Sequence, residues 1–203
     1  MRILKVNRQS SVNLVGEVVK LIKEGKVIVC PTDTVYGLIC DAENKKAVSK
    51  IFRIKNRPKK KLIPVFVKDI KMAKDIAKIN KKQEKFLKKV WPGPVTVLLQ
   101  SKKGLPAISL EPKATGRRGK GIIGIRMPDF KLIIDIIKIL ERPISETSAN
   151  ISGKPPAKDV KEILSQFKKQ KSQPDLILDA GRLKTSKPST VVDLTREFKI
   201  LRI

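Results

Sequence analysis

Hydroxyl, carboxylate, amide and cationic side chains gather in five short stretches of this sequence. In Pro31-Thr-Asp-Thr-Val-Tyr-Gly-Leu38, three hydroxyls, a carboxylate and a glycine fall between Thr32 and Gly37, directly after the apolar run Val27-Ile-Val-Cys30. A strand needs only a polar turn to end it. Hydroxyls and a carboxylate clustered just past a strand's carboxyl end are what a small polar ligand requires in an open α/β sheet. Lys55-Asn-Arg-Pro-Lys-Lys-Lys61 offers Lys55, Arg57 and Lys61 to an anion. The guanidinium supplies a planar fork for phosphate, the lysines point charges, and Pro58 stiffens the segment. A solvated basic loop is the competing reading. Arg126 ends the apolar stretch Ile122-Ile-Gly-Ile-Arg126 ahead of Met127-Pro128, where it suits either a bidentate clamp on a carboxylate or a surface ion pair. Ser148-Ala-Asn-Ile-Ser-Gly153 sets Ser148 and Asn150 beside a glycine, a turn able to hold phosphate or ribose, or simply to cap a helix. Ser189 and Thr190 open the apolar run Val191-Val192 and read, by themselves, as ordinary strand residues.

Composition narrows the chemistry. The chain has 203 residues and no histidine, so a His general base, a Ser-His-Asp triad and a His-bound zinc are all excluded. Catalysis by such a chain rests on positioning and electrostatics, with Lys, Arg, hydroxyls and a substrate-borne metal. Cys30 and Cys40 are too few for a disulfide framework, no apolar stretch approaches a membrane span, and Met1-Arg-Ile-Leu-Lys-Val6 is too charged for a signal peptide. A reduced, cytoplasmic protein without a membrane partner is expected. The net charge of +27, from 46 Lys+Arg against 19 Asp+Glu, attracts polyanions. Compositional bias is the alternative cause, because lysines such as Lys45, Lys50, Lys81 and Lys168 decorate nearly every expected helix. One Trp and one Tyr argue against a stacking platform for single-stranded RNA.

The elements that must position these residues alternate. Val15, Val18, Val19 and Ile22 share a helical face, with Ser10 or Ser11 as cap and Gly25 as stop. Further helices are expected over 43–54, 69–77, 81–90, 129–140 and 158–168. Strands are expected over 26–30, 62–67, 95–99, 122–126, 175–179, 189–194 and 198–203. A long basic loop with Gly116-Arg-Arg-Gly-Lys-Gly121 is expected over 101–120. Neighbouring strands near the C-terminus make the sheet mixed, and residues 1–203 read as a single α/β domain.

Taken in order, these stretches resemble the YrdC family, the threonylcarbamoyl-AMP synthases. The resemblance rests on Pro31-Thr-Asp-Thr-Val-Tyr-Gly-Leu38, Lys55-Asn-Arg-Pro58, Trp91-Pro-Gly-Pro94, Ile125-Arg-Met-Pro128, Ser148-Ala-Asn-Ile-Ser-Gly153 and Ser189-Thr-Val-Val-Asp193, spread over residues 10–203. It implies a twisted open mixed sheet flanked by helices, with a concave basic groove, and a chain of the short single-domain form. It further implies that L-threonine, bicarbonate and ATP, with Mg2+ carried by the ATP, give threonylcarbamoyl-adenylate and pyrophosphate. Downstream threonylcarbamoyl-transferase proteins then use that product to modify the adenosine beside a tRNA anticodon. Carried onto this sequence, the resemblance makes Lys55 and Arg57 catalytic. Thr34 and Arg126 become threonine-binding, and Lys55, Arg57, Lys61, Ser148, Asn150 and Ser189 ATP-binding. No metal ligand is implied. Lys61-Leu62 departs from the family's wording, and Glu146 stands where many relatives carry a small residue. Asp33 either orients a neighbour or lies near the metal. The alternative function is a tRNA or double-stranded RNA binding module. The Ser-Ala-Asn and Ser-Thr-Val-Val-Asp segments have no purpose in backbone-only RNA binding.

Overall fold

The first helix, α1 (Val12–Lys23), buries Val15, Val18, Val19 and Ile22 on one face. It closes with the paired bonds Gly25 N–H to Ile22 O and Lys26 N–H to Leu21 O, so the orphan carbonyls of its last turn are met. The computed structural model describes residues 1–6, 12–58, 61–102, 105, 121–184 and 188–202. The Ser10/Ser11 cap and most of the basic loop at 101–120 lie outside the described residues.

Eleven strands among the described residues form one sheet: β1 (Arg2–Lys5), β2 (Ile28–Pro31), β3 (Tyr36–Asp41), β4 (Val65–Phe66), β5 (Ala77–Lys78), β6 (Val95–Ser101), β7 (Ile122–Arg126), β8 (Ile144–Ser148), β9 (Leu176–Asp179), β10 (Thr190–Asp193) and β11 (Lys199–Arg202). Their order is β1-β9-β2-β3-β8-β4-β7-β6-β10-β11, with β5 pairing off the path to β6. Parallel pairs (β1 with β9, β4 with β7, β6 with β10) occur beside antiparallel ones (β2 with β3, β3 with β8, β6 with β7). The mixed α/β sheet is as the sequence implies.

The remaining helices are α2 (Lys45–Ile54), α3 (Ile70–Ile76), α4 (Lys81–Val90), α5 (Lys131–Leu140) and α6 (Val160–Phe167). Each of the expected helices is present, with bounds a residue or two inside those read from the pattern. Asn44, Asp69, Asn80 and Asp159 cap four of them through side-chain oxygens, which explains the starts. Among the described residues no helix is long and apolar enough to cross a membrane.

Four strands are additions to the sequence reading, one of them the two-residue β5 at the end of α3. β1 is exposed and lacks an apolar pattern, so its pairing with β9 is set by the neighbour rather than by its own residues. β3 follows so closely on the polar cluster at 32–35 that it reads as part of a loop. β8, Ile-Ser-Glu-Thr-Ser, is too polar to resemble an interior strand. Conversely, the strand expected over 62–67 shrinks to Val65–Phe66. The reason is a close crossing. A Cβ on Gly124 would lie 2.8 Å from Leu62 Cδ2, so the chain at Leu62 passes over β7 instead of pairing in the sheet.

Register sorts the sheet's two faces. Val97, Leu99, Ile123, Ile125 and Val65 project to one side and are fully buried. The rows on the opposite side are Ser148 beside Gly37, Glu146 beside Ile39, Arg126 beside Phe66 and Thr96, and Val191 beside Thr96 and Arg202. That second face is polar for most of its width, and it forms the floor of the site.

Candidate active site

A cavity of about 520 Å³ lies on this polar face, within the size range of small-ligand pockets. Its walls include Thr34, Val35, Arg57, Lys61, Leu62, Thr96, Arg126, Glu146, Ser148, Ser189 and Arg202. A hollow of about 150 Å³ adjoins it and shares Thr34, Val35, Pro156 and Pro188. The β2–β3 turn, the crossing segment after α2, and strands β7, β8, β10 and β11 therefore converge. Six residues singled out from the sequence meet here: Thr34, Arg57, Lys61, Arg126, Ser148 and Ser189.

Arg126 anchors one end. It is 2% exposed, with its guanidinium 5.5 Å from the Phe66 ring centroid. Its Nε donates to Gly93 O at 2.9 Å, one terminal nitrogen to Thr34 Oγ1 at 3.3 Å and the other to Asp33 Oδ2 at 2.5 Å. Gly93 belongs to the Trp91–Pro94 turn, so that turn positions the arginine. Three of the five guanidinium N–H groups are thus engaged by protein, which leaves two for a ligand. Asp33 orients a neighbour, the first of its two sequence readings. Its Oδ2 also accepts from Asp129 N at 3.2 Å, while its Oδ1 is buried without a hydrogen bond among the described residues.

Thr32 shapes the turn that presents Thr34. Its hydroxyl donates to Val35 O at 2.7 Å and accepts from the backbone N–H groups of Thr34 and Val35 at 3.1 and 3.2 Å. The Thr32 and Thr34 hydroxyls lie 3.2 Å apart. Tyr36, by contrast, faces away from the cavity. Its hydroxyl donates to Gly181 O at 2.7 Å and accepts from Ala180 N at 3.0 Å, tying the motif to the chain after β9. Burial pushes that phenol up to about 12.

Lys55 and Asn150 are the two singled-out residues not brought to the cavity surface. Neither lines the cavity wall. Lys55 is 1% exposed, and its ammonium donates to Ser148 O, to Asn150 O at 2.9 Å and to Asn150 Oδ1 at 3.0 Å. All three ammonium protons are therefore spent on the Ser-Ala-Asn turn. Burial first, and the nearby Arg57 second, pull the Lys55 amine down to about 7. Asn150 completes the arrangement. Its Oδ1 accepts from Ser148 Oγ at 2.6 Å, and its Nδ2 donates to Ile151 O at 3.0 Å and Lys154 O at 2.5 Å. Within the described residues, these two side chains shape the turn that carries Ser148 to the cavity.

Arg57 and Lys61 form the other end. Arg57 donates to Leu62 O at 3.0 Å, which steadies the crossing segment, and its buried Nε has no hydrogen-bond partner among the described residues. Burial lowers its pKa. Lys61 is exposed. Across the cavity, Ser189 Oγ and Thr96 Oγ1 lie 2.9 Å apart, and Arg202 donates to Ser189 O at 3.0 and 2.7 Å. Thr96 and Arg202 carry no signal in the sequence. A lone threonine in a strand is unremarkable, and one arginine is lost among 46 basic residues. Only the register of β6, β10 and β11 shows that both share the polar face.

Glu146 is the remaining charge in the wall. It is partly exposed to the cavity, yet enclosed by protein on the scale over which a charge is solvated. Desolvation pushes its carboxyl up to about 7 against the opposing pull of Arg126, Lys55 and Arg202, with Asp33 adding to the rise. Gly37 makes room for it, since a Cβ there would lie 2.8 Å from Glu146 Oε1. A side chain at the glycine of the first motif would push this carboxylate from its place.

Comparison with known proteins agrees with this geometry. The Sua5/YciO/YrdC family, described as telomere recombination, matches residues 20–203. A Methanocaldococcus jannaschii protein named putative threonylcarbamoyl-AMP synthase is 34% identical over 203 residues, covering 100% of this chain and 90% of its own. A Pyrococcus abyssi threonylcarbamoyl-AMP synthase is 34% identical over 175 residues, 86% of this chain and 48% of its own. Among solved structures, P. abyssi Sua5 complexed with L-threonine superposes with a TM-score of 0.87 at 30% identity, over 100% of this chain and 57% of that one. Escherichia coli YciO does so with a TM-score of 0.84 at 27% identity, over 99% and 93%. The chain thus spans about half the length of the P. abyssi proteins and nearly all of the M. jannaschii one. With the family match over most of its length and the fold shared along all of it, this chain belongs to the Sua5/YciO/YrdC family.

Proposed function

We propose that this chain is an L-threonylcarbamoyladenylate synthase, a nucleotidyltransferase that converts L-threonine, bicarbonate and ATP into threonylcarbamoyl-AMP and pyrophosphate. The observation that carries the reading is the joining, in one cavity, of the Thr34–Arg126 end to the Arg57–Lys61–Ser148 end. The names of the relatives, and the L-threonine complex of one of them, support the same assignment.

The reaction divides between the two ends. Threonine's carboxylate takes the free N–H groups of Arg126, and Thr34 meets its other polar atoms. Once nitrogen has become a carbamate, a carbamate oxygen attacks the α-phosphorus of ATP. The bond from that phosphorus to the bridging oxygen breaks, and pyrophosphate leaves. Negative charge gathers on phosphate oxygens, so fixed cations and backbone or hydroxyl donors are the main requirement. Arg57 supplies the fork, Lys61 a mobile charge, and Ser148 and Ser189 hydroxyl donors. Lys55 and Asn150 contribute by holding the turn that presents Ser148. Among the described residues no group of three or more His, Cys, Asp or Glu could hold a metal. In this reading a magnesium ion arrives on the triphosphate, held mainly by phosphate oxygens and water.

The product feeds a transferase that places the threonylcarbamoyl group on the adenosine beside a tRNA anticodon. RNA binding as the sole function is not favoured, because a cavity with an amino-acid-sized polar end serves no purpose on a duplex backbone. Incubation of the pure protein with labelled threonine, bicarbonate, ATP and magnesium is expected to yield an adenylate carrying the label. Pyrophosphate release that continues unchanged without threonine would make the chain an ATPase instead.

A further inference from the structure

Glu146 carries a charge that neither the fold nor the reaction described above uses. Among the described residues its carboxylate accepts no hydrogen bond and makes no ion pair, although it lines the cavity. A carboxylate at such a position costs stability unless something arrives to meet it. Two features show that the position is built. Gly37, diagonal to it on the neighbouring strand and opposite Ser148, leaves space that the Glu146 carboxylate occupies. The row running from Glu146 through Pro64 to Gly124 is apolar and is covered by Leu62 and Leu98, so Glu146 has no charged neighbour on its own row.

Arg126 and Glu146 sit two strands and one register step apart on the same face, roughly 12 Å between Cα atoms from ideal sheet spacings. Both side chains line the same cavity, so its wall carries a cation and an anion on one face. The cationic end matches a carboxylate and the anionic end matches an ammonium. A zwitterion fits that pair in one orientation only.

We propose that Glu146 is the amine-side residue of the amino-acid subsite, pairing with threonine's ammonium and accepting the proton released when that nitrogen becomes a carbamate. The inference rests on the synthase reading above. In the step, the nitrogen attacks the carbon of bicarbonate, a C–N bond forms and the C–OH bond breaks. The ammonium gives up two protons. One leaves with the departing hydroxide as water, and the other passes to the Glu146 carboxylate. A carboxyl held near 7 is suited to both tasks, being ionised in a large fraction of molecules at neutral pH and basic enough to take a proton. The charged and titratable groups around it are Arg126 on β7, Lys55 after α2, Asp33 in the β2–β3 turn, Arg202 on β11 and the Cys30 thiol on β2. Of these, Asp33 is engaged by Arg126, Lys55 by the Ser-Ala-Asn turn, and burial raises the Cys30 thiol far above neutrality. Glu146 is left as the acceptor.

The test is a binding cycle between protein and ligand. L-Threonine and its hydroxy-acid counterpart, with the amine replaced by hydroxyl, are titrated calorimetrically into the unaltered chain and into Glu146→Gln at pH 8. The amide keeps shape and volume, and retained ATP binding by the variant verifies its fold. Loss of a charge-assisted contact is expected to weaken threonine by roughly 10- to 100-fold while changing the hydroxy acid less than about twofold. In threonine-dependent adenylate formation, the unaltered chain is expected to lose rate as pH falls below about 7, and Glu146→Gln to run slower without that acid limb. Equal weakening of both ligands, no weakening of either, or an unchanged acid limb overturns the role of Glu146. Failure of the unaltered chain to bind threonine overturns instead the synthase reading on which it depends.

Discussion

At the Arg126 end of the cavity the guanidinium is bonded to protein before any ligand arrives, whereas the cations at the Arg57 end are left more open. Arg126 is held by Gly93, Thr34 and Asp33, and Asp33 in turn by Asp129 N–H. Among the described residues Arg57 has one bond to Leu62 O and a buried Nε without a partner, Lys61 is exposed, and Arg202 donates to Ser189. A small zwitterion brings little net charge, so its subsite must be preorganised and nearly neutral. A triphosphate brings several negative charges, so its subsite can stay unsatisfied and let the ligand complete it. Lys55 sharpens the contrast. It lies two residues from Arg57, carries the same charge, and faces away from the cavity into the Ser-Ala-Asn turn.

The largest effect expected separates these two neighbouring cations. Arg57→Ala removes a fixed donor at developing phosphate charge and is expected to lower turnover by about 10²–10³-fold, or roughly 3–4 kcal/mol, with threonine affinity nearly unchanged. Lys55→Ala strips carbonyl oxygens at Ser148 and Asn150 of their donor at roughly 1–3 kcal/mol each and leaves a void. Its loss should appear first in the melting temperature, with activity falling as a consequence. Denaturation and steady-state kinetics on both variants check this. Arg57→Ala with a collapsed melting curve, or Lys55→Ala with full stability, would erase the distinction between an open and a structural cation.

A smaller effect concerns the cost of keeping Glu146 in the preorganised end. Its carboxyl ordinarily titrates near 4.5 and in the folded protein at about 7. Between those values the folded chain holds a proton that the unfolded chain has lost. Stability therefore falls as pH rises through the window and stays reduced above it. Glu146→Gln removes the penalty, so the variant is expected to be more stable than the unaltered chain at pH 8, by no more than about 3 kcal/mol. The two should converge near pH 4.5. Thermal melts of both proteins from pH 4.5 to 8 measure the difference. A difference independent of pH would show that the carboxylate titrates normally, and the Arg126 end would then be as open as the Arg57 end.

The same contrast explains what could be read from the sequence. Helices with one apolar stripe and a capping Asn or Asp announce themselves, and so do strands such as Ile122–Arg126 that end on a charged residue. β8 does not, because its cavity face spends Glu146 and Ser148 where an interior strand would place apolar residues. A central strand that looks like a loop is itself a mark of the site. The motif residues Thr34, Arg57, Lys61, Arg126, Ser148 and Ser189 were legible as a set and meet at one cavity. Spacing along the chain cannot tell which way a side chain points, so Lys55 and Asn150 were indistinguishable from cavity residues until Lys55 was seen bonded to the turn. Thr96 and Arg202 depend on register between strands distant in sequence, which no local pattern encodes.

Tyr36 gives the smallest expected effect and tests the boundary of the preorganised end. It sits in the same motif as Thr34, two residues on, and its aromatic ring and hydroxyl make it look like a ligand contact. The alternation of β3 sends Gly37 toward the cavity and Tyr36 away from it, where the phenol bridges Gly181 O and Ala180 N. Removing the hydroxyl leaves the ring's packing intact and deprives one backbone carbonyl and one N–H of their partner. Tyr36→Phe is therefore expected to cost about 1 kcal/mol of stability, up to roughly 3 if no water replaces the hydroxyl. Affinity for threonine and turnover should stay within about twofold of normal, because nothing in the cavity wall has changed. Thr34→Val, beside it, removes the hydroxyl that meets Arg126 and should weaken threonine by a contact's worth, about 1 kcal/mol, with a smaller change in stability than Tyr36→Phe. Chemical denaturation and threonine titrations on the pair locate the edge of the subsite. If Tyr36→Phe impairs threonine binding more than Thr34→Val does, the motif meets its ligand through the opposite face of β3, and the preorganised end has been drawn on the wrong side of the sheet.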